Sequence, residues 1–195
     1  MEAQHSVPRG DSPVTTLYTV GHGNRSAEEF LEILSSSGIG CLVDVRAYPS
    51  SRRHPQFSQT RLAPILNQIG IHYDWRGKAL GGFRQGSSSS IHTALTSDSL
   101  RAYAEYMSST AFQDGITELL LSCRQTSIAM LCAERLPEHC HRALLADYLT
   151  AIGISVKHIL EKDEIVLHHL SRLARWEQGR LIYDQVDNKQ MGWSF

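Results

Sequence analysis

The sequence lacks any long apolar run. No segment approaches the roughly 18 consecutive apolar residues that a membrane-spanning helix requires, and residues 1–14 hold no apolar stretch typical of a signal peptide. We therefore expect a cytoplasmic protein with no membrane partner. With 42% hydrophobic residues in 195 positions, the chain still has enough apolar side chains for the core of one domain.

Cysteine is scarce, and neither sign of charge dominates. Cys41, Cys123, Cys132 and Cys140 form no CxxC pair and are too few for a disulfide scaffold, so we expect reduced thiols. The 19 Lys and Arg against 20 Asp and Glu give a formal charge of −1, which excludes a globally basic DNA-coating protein. A local basic face remains open. The sequence also lacks GxGxxG and GxxxxGK phosphate-binding loops and any helix-turn-helix or zinc-finger signature.

Strand-like and helix-like segments alternate along the chain. Ser26 and Glu29 form a capping box that predicts a helix start, and Gly38 predicts its end. Because parallel neighbours need crossover connections, this alternation predicts an α/β fold. We expect a single-domain three-layer sandwich with a mostly parallel sheet of about five strands and helices on both faces. The predicted strands cover residues 17–20, 41–46, 71–75, 127–132 and 155–160. The later helices are predicted at 60–68, at 98–121 as one long or two short helices, and at 140–152.

The domain is expected to occupy residues 16–170. Residues 1–15 are rich in Pro, Gly and Ser and predict a disordered lead. Residues 171–195 are predicted to form a tail that packs on the domain or on a partner. The sequence does not indicate an oligomeric state.

Ligands of parallel α/β sheets bind beyond the carboxyl ends of the strands, where this sequence places many polar residues. Asp44 and Glu134 follow buried strands, so we predict them as catalytic carboxylates, with Arg46 and His22 beside them. The predicted substrate-binding residues are Asn24, Arg25, Tyr48, Arg52, Arg53, Phe57, Tyr73, Trp75, Phe83, Cys132, His141 and Arg142.

Ordered blocks of the sequence carry a family resemblance. They are TyrThrValGlyHisGlyAsnArgSer at 18–26, LeuValAspValArgAlaTyrPro at 42–49, SerArgArgHisProGlnPhe at 51–57, LeuGlyGly at 80–82, and CysAlaGluArgLeuProGluHisCysHisArg at 132–142. The chain resembles the domain of unknown function 488 family from about Tyr18 to Ile159. The resemblance implies a compact α/β domain in which these blocks form the site, and it leaves the chemistry open.

Thiol and metal chemistry are alternatives for the segment around Cys132 and Cys140. Rhodanese-like and phosphatase sites have Cys and Arg six positions apart, whereas here Arg142 lies ten positions after Cys132. His22, His139 and His141 could add metal ligands, but their spacing matches no zinc motif. We therefore predict no metal and no cofactor.

Charge and aromatic residues are concentrated in one segment. Residues 46–84 contain seven Lys or Arg and one acid, a local charge of +6, with aromatic side chains between them. Cationic side chains are suited to bind the phosphates of a nucleic acid, and aromatic side chains are suited to stack on its unpaired bases. We predict a metal-independent DNA glycosylase that extrudes and excises an alkylated base, so that DNA is its partner. A thiol-dependent sulfur-transfer or redox enzyme and a non-catalytic nucleic-acid-binding adaptor remain the alternatives.

Overall fold

The computed structural model describes residues 16–86, 89–123 and 125–185. Strands β1 to β5 pair in parallel, and β6 pairs antiparallel with β5. This confirms the predicted α/β fold with a mostly parallel sheet. The sixth strand was not predicted, and all its residues are exposed, unlike those of a buried strand. The sheet order is β3-β2-β4-β1-β5-β6, with strands Thr16–Gly21 (β1), Cys41–Asp44 (β2), His72–Trp75 (β3), Ile128–Cys132 (β4), Ser155–Glu161 (β5) and Glu164–Leu167 (β6).

Helices cover both faces of the sheet. Alternate residues of a strand point to opposite faces, so Leu42 and Leu131 enter one core while Val43 and Met130 enter the other. The first core packs against Ala27–Ser36 (α1) and Gln59–Gln68 (α2), and the second against Gly77–Leu80 (α3), Asp98–Tyr106 (α4), Thr110–Ser122 (α5) and His141–Ala151 (α6). None of these helices is long and apolar enough to cross a membrane.

Local capping explains where two helices begin. The Ser26 side chain accepts from the Glu29 amide at 3.1 Å, and the Glu29 carboxylate accepts from the Ser26 amide at 2.8 Å, which confirms the capping box of α1. Ser109 caps α5 by accepting from the Phe112 amide at 3.3 Å. The predicted segment 98–121 therefore forms two helices, because a new cap follows Tyr106.

A two-stranded hairpin follows the sheet. It consists of Ala174–Glu177 (β7) and Arg180–Tyr183 (β8). Leu181 and Tyr183 are buried in the same core as α4 and α6, and the Tyr183 carbonyl accepts from the Ala94 amide at 2.9 Å. These described tail residues thus pack on the domain. The predicted lead at 1–15 and the end of the tail at 186–195 lie outside the described residues.

A chain of buried polar groups joins β1 to the hairpin. The Thr19 hydroxyl lies 2.7 Å from His158 Nδ1, and His158 Nε2 lies 2.8 Å from His168 Nδ1. His168 Nε2 lies 2.9 Å from one oxygen of Asp147, whose other oxygen accepts from the Tyr183 hydroxyl at 3.0 Å. Burial, His168 and Arg142 lower the pKa of His158 to about 3. His158 therefore stays neutral in the folded protein.

His158 makes stability fall in mild acid. Its folded pKa lies below its unfolded value, so below about pH 6.5 only the unfolded chain takes up the proton. Between pH 8 and pH 5 this costs about 2 kcal/mol of unfolding free energy. In urea titrations at both pH values, we expect His158→Gln to reduce the pH-dependent loss by about this amount. His72→Gln, at an exposed position, is the control, and equal losses in wild type and His158→Gln would contradict the assignment.

Candidate active site at the ends of β1, β2 and β4

A cavity of about 1010 Å³ opens where β1, β2 and β4 end. The chain leaves β1 and β2 through α1 and α2 on one face, whereas it leaves β4 through α6 on the other. Connections that diverge in this way open a crevice at the carboxyl edge of the sheet. The predicted site residues that line it are His22, Asn24, Arg46, Tyr48, Arg53, Phe83, Cys132, Glu134 and His141.

The floor of the cavity brings two backbone segments into direct contact. The amides of His22 and Gly23 donate to the carbonyls of Cys132 and Ala133 at 3.1 and 2.8 Å. A Cβ atom at Gly21 would lie 1.7 Å from the Glu134 carbonyl oxygen, so no other residue fits there without a backbone shift. This close approach explains why residue 21, directly before His22, is a glycine.

Asp44 holds the loop after β2 rather than facing the cavity. Its side chain has no exposed surface, and one oxygen accepts from the Arg46 amide at 3.0 Å and Nε at 2.9 Å. The other oxygen accepts from Arg46 Nη2 and from the Tyr73 hydroxyl, both at 2.5 Å. Asp44 does not line the cavity, so the structure corrects its expected catalytic role to a positioning one.

Arg46 and His22 reach the cavity with constrained side chains. Arg46 donates from Nη2 to the Phe57 carbonyl at 2.8 Å, which ties the 3-10 helix Pro55–Phe57 to β2. The Phe57 ring is fully buried and stacks on His22 at 4.4 Å, so it cannot stack on a nucleic-acid base as expected. Burial lowers the pKa of His22 to about 4, and its imidazole is neutral at pH 7.

Arg25 and Arg142 are also buried instead of facing a substrate. Arg25 donates from Nη1 to the Gly21 carbonyl at 2.5 Å, and its Nη2 pairs with Glu161 at 3.1 Å. Arg142 Nη2 donates to the carbonyls of Glu134 and Arg135 at 3.1 and 3.0 Å, which shapes the loop after β4. Its Nε and Nη1 have no hydrogen-bond partner among the described residues. Both arginines therefore stabilise the site's backbone.

Glu134 is the predicted carboxylate that lines the cavity. It is exposed, as is Asn24, which also lines the cavity. Glu138, which was not predicted as a site residue, adds a second acidic side chain to the lining. The acidic groups therefore come from the loop between β4 and α6.

Two aromatic rings stand at the mouth of the cavity. Tyr48 is 70% exposed and Phe83 is 79% exposed, and their ring centroids lie 5.9 Å apart in an edge-to-face arrangement. Tyr73 and Trp75 lie outside the lining, because the Tyr73 hydroxyl bonds to Asp44 and the Trp75 indole donates to the Arg46 carbonyl at 3.0 Å. Of the predicted aromatic residues, Tyr48 and Phe83 thus line the cavity, whereas Trp75 is 40% exposed outside it.

Only some of the cations in the basic segment, residues 46–84, are exposed. Arg46 pairs with Asp44, and Arg76 pairs with Asp74 at 2.6 Å. Arg84 lies over the Tyr106 ring at 3.6 Å. The exposed cations of the segment are Arg52, Arg53, Arg61 and Lys78, of which Arg53 lines the cavity.

Three residues with metal-ligand chemistry converge at the inner wall. The sulfurs of Cys132 and Cys140 lie 2.8 Å apart, and His141 Nδ1 lies 3.6 and 3.5 Å from them. Their shared hydrogen bond raises the pKa of Cys132, which burial raises further, and lowers the pKa of Cys140. The sequence did not predict this convergence, because it depends on the path of the loop between the two cysteines.

One wall of the cavity was missed entirely. Thr96, Ser97, Ser99 and Leu100, at the start of α4, face the predicted site. These residues carry no chemistry that marks them in the sequence. The N-cap at Ser97 was the available signal, and it indicates a helix start rather than a binding surface.

The family model described as domain of unknown function DUF488 matches residues 26–149, more than half of the chain. The chain belongs to this family. The match confirms the predicted resemblance and includes the LeuGlyGly and CysHisArg blocks, while residues 18–25 precede it. No curated protein and no solved structure matches the chain. In this DUF488 protein, the blocks after β1, β2 and β4 all contribute to the cavity.

Replacing Asp44 tests its positioning role. Asp44→Asn leaves the buried Arg46 cation without its carboxylate, and we expect a loss of about 3–5 kcal/mol in unfolding free energy by urea titration. Asp98→Asn removes an ion pair whose carboxylate is 93% exposed, so it should cost less than about 1 kcal/mol. An Asp44→Asn protein as stable as the parent would contradict the positioning role.

Proposed function

We propose that this DUF488 protein acts on nucleic acid as a DNA glycosylase that receives an extruded, alkylated base in the cavity. The observation that carries the proposal is the exposed pair of Tyr48 and Phe83 at the cavity mouth. Exposed aromatic rings beside a polar cavity are typical of surfaces that bind a ligand. Nucleobases stack on such rings irrespective of sequence.

The size and charge of the site support an extruded nucleotide. Small-molecule sites commonly measure about 300–1,000 Å³, and this cavity reaches about 1010 Å³. Exposed Arg52 and Arg53 follow Tyr48 in the same loop, where phosphates beside the extruded base would need counter-charges. Aromatic and cationic side chains therefore occur on the same side of the site.

Glu134 is suited to activate the attacking water. In the proposed step the Glu134 carboxylate takes a proton from water, the water oxygen bonds to the sugar C1′, and the C1′–N bond breaks with its electron pair passing to the base. An alkylated base that carries a positive charge leaves as a neutral molecule. Neutral His22 and the fixed Arg46 stand near this reaction and hold the walls of the cavity.

Replacement of Glu134 tests the chemistry. With oligonucleotides that each carry one alkylated base, we expect alkali-labile abasic sites, and a single-turnover rate at least about 100-fold lower for Glu134→Gln. Glu164→Gln, on exposed β6, is the control and should keep the parent's rate. DNA binding without abasic sites in the wild type would indicate an adaptor instead of an enzyme.

A pair of double variants separates stacking from phosphate contact. Arg52→Ala with Arg53→Ala should flatten the plot of log affinity against log salt by about one to two units, because fewer counterions are released. Tyr48→Ala with Phe83→Ala should weaken single-stranded DNA binding by roughly 5-fold or more at an unchanged salt slope, because stacking is uncharged.

Arg180→Ala, at an exposed position on β8, is the control for fluorescence-anisotropy titrations. Parent affinity and parent slope in both double variants would remove the support for nucleic-acid binding. The substituted residues of the two double variants are all exposed, so the free energy of unfolding should change by less than about 0.5 kcal/mol per substitution.

A further inference from the structure

The cluster of Cys132, Cys140 and His141 is not used by the proposed glycosylase. Its two sulfurs and the His141 Nδ1 all lie within 4.8 Å of one another and form part of the cavity lining. A sulfur separation of 2.8 Å is well inside van der Waals contact. At this distance the two sulfurs share a proton, and they must either bond covalently or move apart around a bound cation when that proton is lost.

The His141 ring is oriented as a metal ligand would be. Its Nε2 lies 3.2 Å from the Val45 carbonyl oxygen, an acceptor that holds the hydrogen on Nε2 and leaves the Nδ1 lone pair facing the sulfurs. Metal-binding histidines usually donate their second ring nitrogen to a carbonyl or carboxylate in this way. The tautomer therefore suits cation binding.

Backbone packing fixes the ring from its other side. A Cβ atom at Gly82 would lie 2.5 Å from both Cγ and Nδ1 of His141, so the LeuGlyGly block must pass beside the ring without a side chain. The Tyr103 ring contacts His141 edge-to-face with centroids 4.9 Å apart. The ring thus has little freedom to turn away from the sulfurs.

The start of α6 explains how adjacent residues point to one place. Cys140 is the N-cap residue with extended backbone angles (φ −140°, ψ 149°), whereas His141 is the first residue of the helix. The change of backbone direction between them brings both side chains to the end of β4, where Cys132 lies. A regular helix would separate neighbouring side chains by about 100°.

We propose that Cys132, Cys140 and His141 bind a zinc ion that keeps a fourth coordination position open to the cavity. With Zn–S near 2.3 Å and Zn–N near 2.0–2.1 Å, a tetrahedral site has sulfur–nitrogen separations of about 3.5 Å. The observed separations are 3.6 and 3.5 Å. The sulfurs must move apart by about 1 Å to reach tetrahedral geometry.

The donor set determines the class of ion and ligand. Thiolate and imidazole donors select zinc over magnesium or calcium, and two thiolates balance the charge of the divalent ion. Sets of three protein ligands are typical of zinc sites that take a water molecule or substrate atom in the fourth position. The fourth ligand would thus enter from the cavity. This inference departs from the sequence-based prediction of no metal, because the structure brings the three donors together, and it does not depend on the proposed glycosylase activity.

Metal binding can be measured on the full-length chain. After reduction, dialysis against zinc and removal of free metal, we expect one zinc ion per chain, measured by inductively coupled plasma mass spectrometry. Cobalt substitution should give thiolate charge-transfer absorption and tetrahedral d–d bands. Cys132→Ser and Cys140→Ser should lose stoichiometric binding, whereas Cys123→Ser, at a half-buried cysteine that donates to the Leu119 carbonyl, should retain it.

Two further measurements keep the test decisive if a cysteine variant fails to fold. In the wild type, zinc should protect the Cys132 and Cys140 peptides from iodoacetamide while Cys123 reacts. Gly82→Ala, which pushes against the His141 ring, should weaken zinc affinity about 10- to 100-fold, with a thermal melt to confirm folding.

Several outcomes would overturn the zinc assignment. They are substoichiometric zinc in the reduced wild type, a cobalt spectrum without thiolate bands, or equal zinc loss in Cys123→Ser and Cys132→Ser. A Cys132–Cys140 disulfide that forms in air while reduced protein binds no zinc would also overturn it. DNA-binding titrations on the same samples report separately on the proposed function, so either proposal can fail without the other.

Discussion

The buried ion pair between Asp44 and Arg46 organises the site. Removing both charges from water is costly, and the pair is tolerated because nearly every polar atom finds a hydrogen bond. Through Arg46 it fixes the Phe57 carbonyl, and Phe57 in turn packs against His22. The carbonyl oxygen of the neighbouring Val45 lies 3.2 Å from His141 Nε2. One ion pair at the end of β2 therefore positions groups that belong to β1, the 3-10 helix and α6.

The fold was largely predictable because its signals are local. The capping box at Ser26 and the apolar run Ile128–Cys132 require only neighbouring residues to be recognised. The hairpin β7–β8 was not predicted, because its residues Leu181 and Tyr183 are buried only through contacts with helices that are distant in sequence. β6 has no buried face, so no periodic pattern marks it.

The site was less predictable, because residue type does not reveal side-chain direction. Glu134 and Tyr48 reach the cavity as predicted, while Phe57 and Arg142 turn into the core. The proximity of Cys132 to His141 depends on the N-cap geometry of Cys140, which spacing alone does not indicate. Positions next to an element's end are therefore the hardest to assign from sequence.

The place of β4 between β1 and β2 has a consequence for how the chain folds. β1 and β2 are close in sequence, yet neither pairs with the other, and β4 follows only after α5. β4 pairs with both β1 and β2, so the central pairs of the sheet join segments that are distant in sequence, and such non-local pairing is slow. A chain shortened before Ile128 would lack both partners of β1 and one partner of β2, and such unpaired strand edges favour aggregation. The contacts of His22 and Gly23 with Cys132 and Ala133, which form the cavity floor, therefore require β4 to be in place.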